Sequence, residues 1–155
     1  MGFLNKLKEL AEKQKVIEQY DFELVGCNYY RDDIAKVMML NPVYKRDVNQ
    51  LIDSGYVEMP VYKYLPLYTQ AKLVAEPKNE HDPNAIFLQI NGKKIGYIMA
   101  DQTKIIKPLM SEHLKVTAKI TGGGCKKVVK QQDGTYGILN RSIAFYCNFV
   151  VEVNP

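Results

Sequence analysis

The spacing of apolar positions changes several times along the chain, and each change predicts an element. Residues 2–19 place Phe3, Leu4, Leu7, Leu10 and Ala11 at i, i+3, i+4 and i+7 among good helix formers, which predicts an amphipathic N-terminal helix within residues 1–19. Its polar face mixes both charge signs, so its stripe is expected to dock on the rest of the fold rather than on a membrane. From Tyr20 the period falls to two: Tyr20, Phe22 and Leu24 alternate with polar residues up to Val25-Gly26, a first strand ending near the pair Tyr29-Tyr30. Asp32-Asp33 then precede Ile34, Val37 and Met38 as a capped helical turn that Asn41-Pro42 breaks. Tyr44, Val48, Leu51 and Ile52 form a second stripe closed by Ser54-Gly55. Together these predict a helical insertion at about 32–54.

Strand-like alternation returns at about Thr69–Glu76, after a stretch that Pro60 and Pro66 keep irregular. Residues 85–91 and 93–99 alternate on either side of Asn91-Gly92, the pair that best tolerates the positive φ of a type I′ hairpin turn. Asp101 is expected to cap a helix running to about Ser111, with Ile105, Ile106, Leu109 and Met110 inward, Lys104 and Lys107 outward, and Pro108 kinking it or marking a late start. A strand at 115–121, a flexible turn at Gly122-Gly123-Gly124, a strand at 126–131, a turn at Asp133-Gly134 and a strand at 143–153 complete the series. The glycine run lacks the context of a phosphate-binding P-loop.

Composition agrees with a mainly β, α+β protein: eleven Tyr and five Phe against no Trp, with ten Gly and seven Pro, favour strands and turns. With 155 residues and no internal repeat, residues 20–155 are expected to form one domain. The net charge of +4 says little until it is divided. Nine Lys against two acids between Lys93 and Lys130 make that segment +7 and leave −3 elsewhere. A solvated basic face and a phosphate-binding surface both fit that run. Cys27, Cys125 and Cys147 are widely separated and, with His81 and His113, suggest neither a disulfide framework nor a metal set, so no cofactor is expected. No signal peptide or transmembrane span is visible at the N-terminus, and a cytoplasmic location is the expectation.

The densest chemistry lies in Glu76-Pro77-Lys78-Asn79-Glu80-His81-Asp82-Pro83-Asn84-Ala85-Ile86, a polar loop feeding the hairpin that ends Ile95-Gly96-Tyr97-Ile98. With Val25-Gly26-Cys27-Asn28-Tyr29-Tyr30 upstream, this pattern resembles the HIRAN domain family over residues 20–30 and 72–110. HIRAN domains occur alone in bacteria and phages and fused to Swi/Snf-type DNA translocases. The resemblance implies an OB-like β-barrel and a non-catalytic grip on the 3′-hydroxyl ends of single-stranded DNA in repair or replication-fork processing. RNA stays open as a ligand.

Carried over by position, the resemblance makes Tyr29 the stacking tyrosine and Asp82 the acceptor for a terminal hydroxyl. A carboxylate can take a hydrogen bond from that hydroxyl and repels a phosphate in its place. His81 stands where some relatives have a second aromatic, Asn28 where a basic residue occurs, and Ala100 where relatives have a lysine; Lys93, Lys94 and Lys104 are the expected replacements for the lost charge. Tyr30, as the strand neighbour of Tyr29, is either its buried counterpart or the platform itself. Asn79 fits either a phosphate contact or loop architecture, and Asp82 also fits a second role, bonding the loop's own backbone. The competing function is a protein-interaction adaptor that recruits a partner through the barrel and helices.

Overall fold

The computed structural model describes residues 2–6 and 18–154. Six antiparallel strands close a barrel in the order β1 (Glu18–Val25), β11 (Tyr146–Val153), β8 (Leu114–Thr121), β5 (Leu67–Ala75), β6 (Ile86–Ile90) and β7 (Lys93–Ile98). Leu24 opposite Ile98 and Val25 opposite Tyr97 close the ring. The inward positions follow from the period of two: Phe22 and Leu24, Ile86, Leu88 and Ile90, Val116, Ala118 and Ile120, and Phe149 and Val151 are all buried in one core. Burial of each larger side chain is worth about 1.5–3 kcal/mol, so this register is strongly specified. The OB-like barrel with added helices is the architecture the sequence leads one to expect.

Beside the barrel, β3 (Val61–Tyr62), β9 (Cys125–Lys130) and β10 (Tyr136–Arg141) form a second sheet, and β2 (Met39–Leu40) pairs with β4 (Tyr64–Leu65). The insertion supplies α1 (Arg31–Val37) and α2 (Val48–Asp53), separated by a 3-10 turn at Pro42–Lys45. A capping box starts α2: the Asp47 side chain accepts from Gln50 N, and the Gln50 side chain accepts from Asp47 N. Leu51 then packs with Val61 and Val128 in a small second core.

Several expectations need correction. A strand already begins at Glu18, so no helix reaches residue 19. Residues 2–6 are helical, but Phe3 and Leu4 stand exposed instead of docking on the barrel, and Leu7, Leu10 and Ala11 lie outside the described residues. Asp32 and Asp33 occupy the first turn of α1 rather than its cap, where they still favour the helix dipole. The third helix, α3 (Ala100–Leu109), has Met99 at its N-cap, with Asp101 inside the first turn. Its buried residues are Thr103 and Ile106, and Met110 at the C-cap packs on the core, spaced i, i+3 and i+7, which turns Ile105 outward to 50% exposure. The glycine run is packed rather than flexible: side chains at Gly122 and Gly123 would strike Ala144 and the rings of Phe145 and Tyr64. Residues 142–145 are not strand, and Arg31 ties them down by donating to Ile143 O, Gly123 O and Ser142 Oγ.

Candidate nucleic-acid interface

The site gathers at one end of the barrel, where β1 runs into a 3-10 turn at Cys27–Tyr30, β5 runs into the loop 76–85, and β7 runs into α3. Gly96 lets two of these meet: a side chain there would lie 3.0 Å from Val25 O and 3.3 Å from Cys27 Sγ. The 3-10 turn orients its tyrosines differently. Tyr29 is 90% exposed, whereas Tyr30 packs on the core with its ring 6.2 Å from that of Tyr97. Burial first, and the neighbouring Tyr97 second, push the Tyr30 phenol above its usual range.

Tyr97 links this turn to the loop. Its hydroxyl donates to Glu76 Oε1 at 2.8 Å, and Lys94 Nζ donates to Glu76 Oε2 at 2.8 Å and to the Tyr97 hydroxyl at 2.9 Å. The Lys94 ammonium also lies 4.4 Å from the centre of the Phe87 ring. Hydrogen bonds from Lys94, Tyr97 and Asn79 hold the Glu76 carboxyl down to about 2, and Glu76, then Tyr97, raise the Lys94 ammonium above its usual range.

Within the loop, Asn79 Nδ2 donates to Glu76 Oε1 at 2.7 Å, and Asn79 Oδ1 accepts from His81 N at 2.9 Å and Asp82 N at 3.0 Å. Asp82 Oδ1 accepts from Asn84 N at 2.8 Å, an Asx turn, and the Glu76 and Ala85 backbones bond across the loop base at 2.9 Å. Both ends of the Asn79 amide are therefore engaged in loop architecture. Asp82 engages one carboxylate oxygen.

A cavity of about 580 Å³ opens between this loop and α3, bounded by Asp82 and Asn84 on one side and Ala100, Thr103, Lys104 and Lys107 on the other. Lys104 lies one turn beyond Ala100 on the same helix, so it brings an ammonium to the cavity whose edge Ala100 leaves apolar. Lys107 Nζ donates to Asn84 Oδ1 at 2.6 Å. Neither lysine has a carboxylate partner among the described residues.

Of the residues singled out in the sequence, the structure joins Tyr30, Asn79 and Lys94 through Tyr97 and Glu76, and places Asp82 and Lys104 on one cavity. Tyr29 and His81 are exposed beside these groups in sequence. Lys93 stands apart on the hairpin, half-exposed and paired with Ile90. Lys94 is committed to Glu76, which makes it a structural cation. Glu76, Tyr97 and Lys107 were not singled out; only the Glu and Tyr of the motif itself hinted at two of them. The thiols offer no activated nucleophile: all three are buried, and burial raises Cys27 and pushes Cys147 up to about 12. Among the described residues no helix is long and apolar enough to cross a membrane.

Comparison with known proteins adds one finding. A family model of the HIRAN domain matches residues 17–152, well beyond the two motif segments and across the helical insertion and outer sheet. No curated protein and no solved structure gave a match. With nearly its whole length matched, the chain belongs to the HIRAN domain family, whose members are generally nucleic-acid-binding modules rather than catalysts.

Proposed function

We propose that the protein binds single-stranded DNA ends without catalysing a reaction, selecting ends that carry a 3′-hydroxyl, and serves DNA repair or replication-fork processing. The observation that carries this reading is the pairing of an acceptor-only carboxylate, Asp82, with two ammonium groups, Lys104 and Lys107, around one open cavity. A terminal nucleotide presents the complementary set: a hydroxyl that donates to Asp82, and a phosphate on its other side that the lysines neutralise. A strand that continued past that position would place a phosphate against the carboxylate. The exposed ring of Tyr29 offers a face on which a base stacks, and stacking accepts any base. Titration with oligonucleotides that differ only at the 3′ terminus tests the reading.

A further inference from the structure

Register carries the surface of the motif site along the barrel wall. Tyr97 lies opposite Phe87, and Phe87 opposite Val74; one step further, Lys94 lies opposite Gln89, and Gln89 opposite Lys72. Opposed residues of antiparallel strands share a face, so this is one outer face reaching from the Tyr97 cluster onto β5. Leu67, Ala71 and Leu73 pack on the core, which turns Tyr68, Gln70 and Lys72 outward. A groove of about 250 Å³ follows, lined by Gln70, Lys72, Gln89 and Asn91 among others. At its far end Tyr68 is 66% exposed, and Lys119, directly opposite on β8, holds its ammonium 5.4 Å from the ring centre.

We propose that a single strand of nucleic acid held at the motif loop continues along the outer face of β5, and that Tyr68 with Lys119 forms a second stacking and phosphate-binding point. Six residues at strand rise separate Val74 from Tyr68, so the track is roughly 20 Å long, a span of several nucleotides. Its chemistry suits such a strand: an exposed aromatic ring, two lysines without carboxylate partners among the described residues, and amides that can bond base edges or phosphates. The opposite side of the barrel is unsuitable. Exposed Asp21 and Glu23 on β1, opposite Val150 and Asn148, would repel phosphates and confine the strand to β5 and β8.

The track's direction from the loop rests on the end-binding reading, but its existence can be tested separately. Circular single-stranded DNA has no end and reports the track; a trinucleotide is too short to reach Tyr68 and reports the end site. Using the full chain, Tyr68→Ala should weaken binding of the circle about tenfold or more and leave the trinucleotide unaffected. Lys72→Gln with Lys119→Gln should lower the salt slope for the circle by about 1.4, at roughly 0.7 per phosphate contact on a single strand. Tyr136→Ala, an exposed tyrosine on β10 in the second sheet, should change neither. The proposal is overturned if the wild type does not bind the circle, if Tyr68→Ala binds it normally, or if Tyr136→Ala loses as much. A trinucleotide bound equally with a 3′-hydroxyl or 3′-phosphate would instead defeat the end-binding reading alone.

Discussion

The Tyr97 hydroxyl donates to Glu76 Oε1 across 2.8 Å, and this bond joins the hairpin to the base of the motif loop. On the other side the Tyr97 ring meets that of Tyr30, so the loop and the tyrosine-bearing turn share one anchor. Tyr97→Phe keeps the ring and removes the bond. Glu76 would then hold Asn79 less firmly, and the His81 and Asp82 amides that Asn79 caps should exchange with solvent severalfold faster. Unchanged exchange at both amides would show that the loop holds itself.

The same carboxylate gives the fold a dependence on acid. Glu76 is held at about 2 in the folded protein against an ordinary 4.5, so the unfolded chain binds more protons between those values. Its stabilising contribution is complete above about pH 4.5 and is lost as pH falls toward 2. Urea unfolding at pH 6 and pH 3 should therefore show a larger drop in midpoint for the wild type than for Glu76→Gln. Equal drops would remove Glu76 from the account.

Much of the fold was legible because local pattern and tertiary packing ask for the same thing. Asn91 and Gly92 do take positive φ, 48° and 76°, and the period of two in Phe22-Leu24 and Ile86-Leu88-Ile90 is the inward register of the barrel. What was missed depends on distant partners. Nothing near Lys94 reveals that Glu76, 18 residues earlier, would claim its ammonium. Strands β3 and β4 are two residues each, too short to leave a period, and in β10 Gly137 interrupts the run and Ile138-Leu139 are followed by Asn140-Arg141, so no alternation shows. The close packing of Gly122 and Gly123 comes from residues 144 and 145 and, for Gly123, also from Tyr64.

Stacking is expected to depend on the exposed member of the tyrosine pair. Tyr29→Ala should cost about 1–3 kcal/mol of single-strand affinity with no loss of thermal stability, because the side chain touches little of the protein. Normal affinity in a folded variant would take the platform away from Tyr29.

Charge at the cavity separates contact lysines from structural ones. Lys104→Gln with Lys107→Gln should lower the salt slope of single-strand binding by about 1–2, whereas Lys94→Gln should loosen the loop and leave the slope nearly unchanged. The reverse pattern would place the phosphates on the hairpin. A partner bound mainly by apolar contact, as the adaptor reading requires, would show weak salt dependence throughout.

The most direct measurement is fluorescence anisotropy with matched oligonucleotides ending in a 3′-hydroxyl or a 3′-phosphate, for the wild type and Asp82→Asn. The substitution is well suited to the geometry, because the amide oxygen can still accept from Asn84 N and keep the Asx turn while the other carboxylate oxygen becomes a donor. The wild type should prefer the hydroxyl end. Asp82→Asn should lose about 1.5–3 kcal/mol on that end, the worth of a charge-assisted hydrogen bond, and bind the phosphate end at least as well as before. Equal wild-type affinity for the two ends, or an equal loss on both in a folded Asp82→Asn variant, would contradict recognition of the 3′-hydroxyl by Asp82.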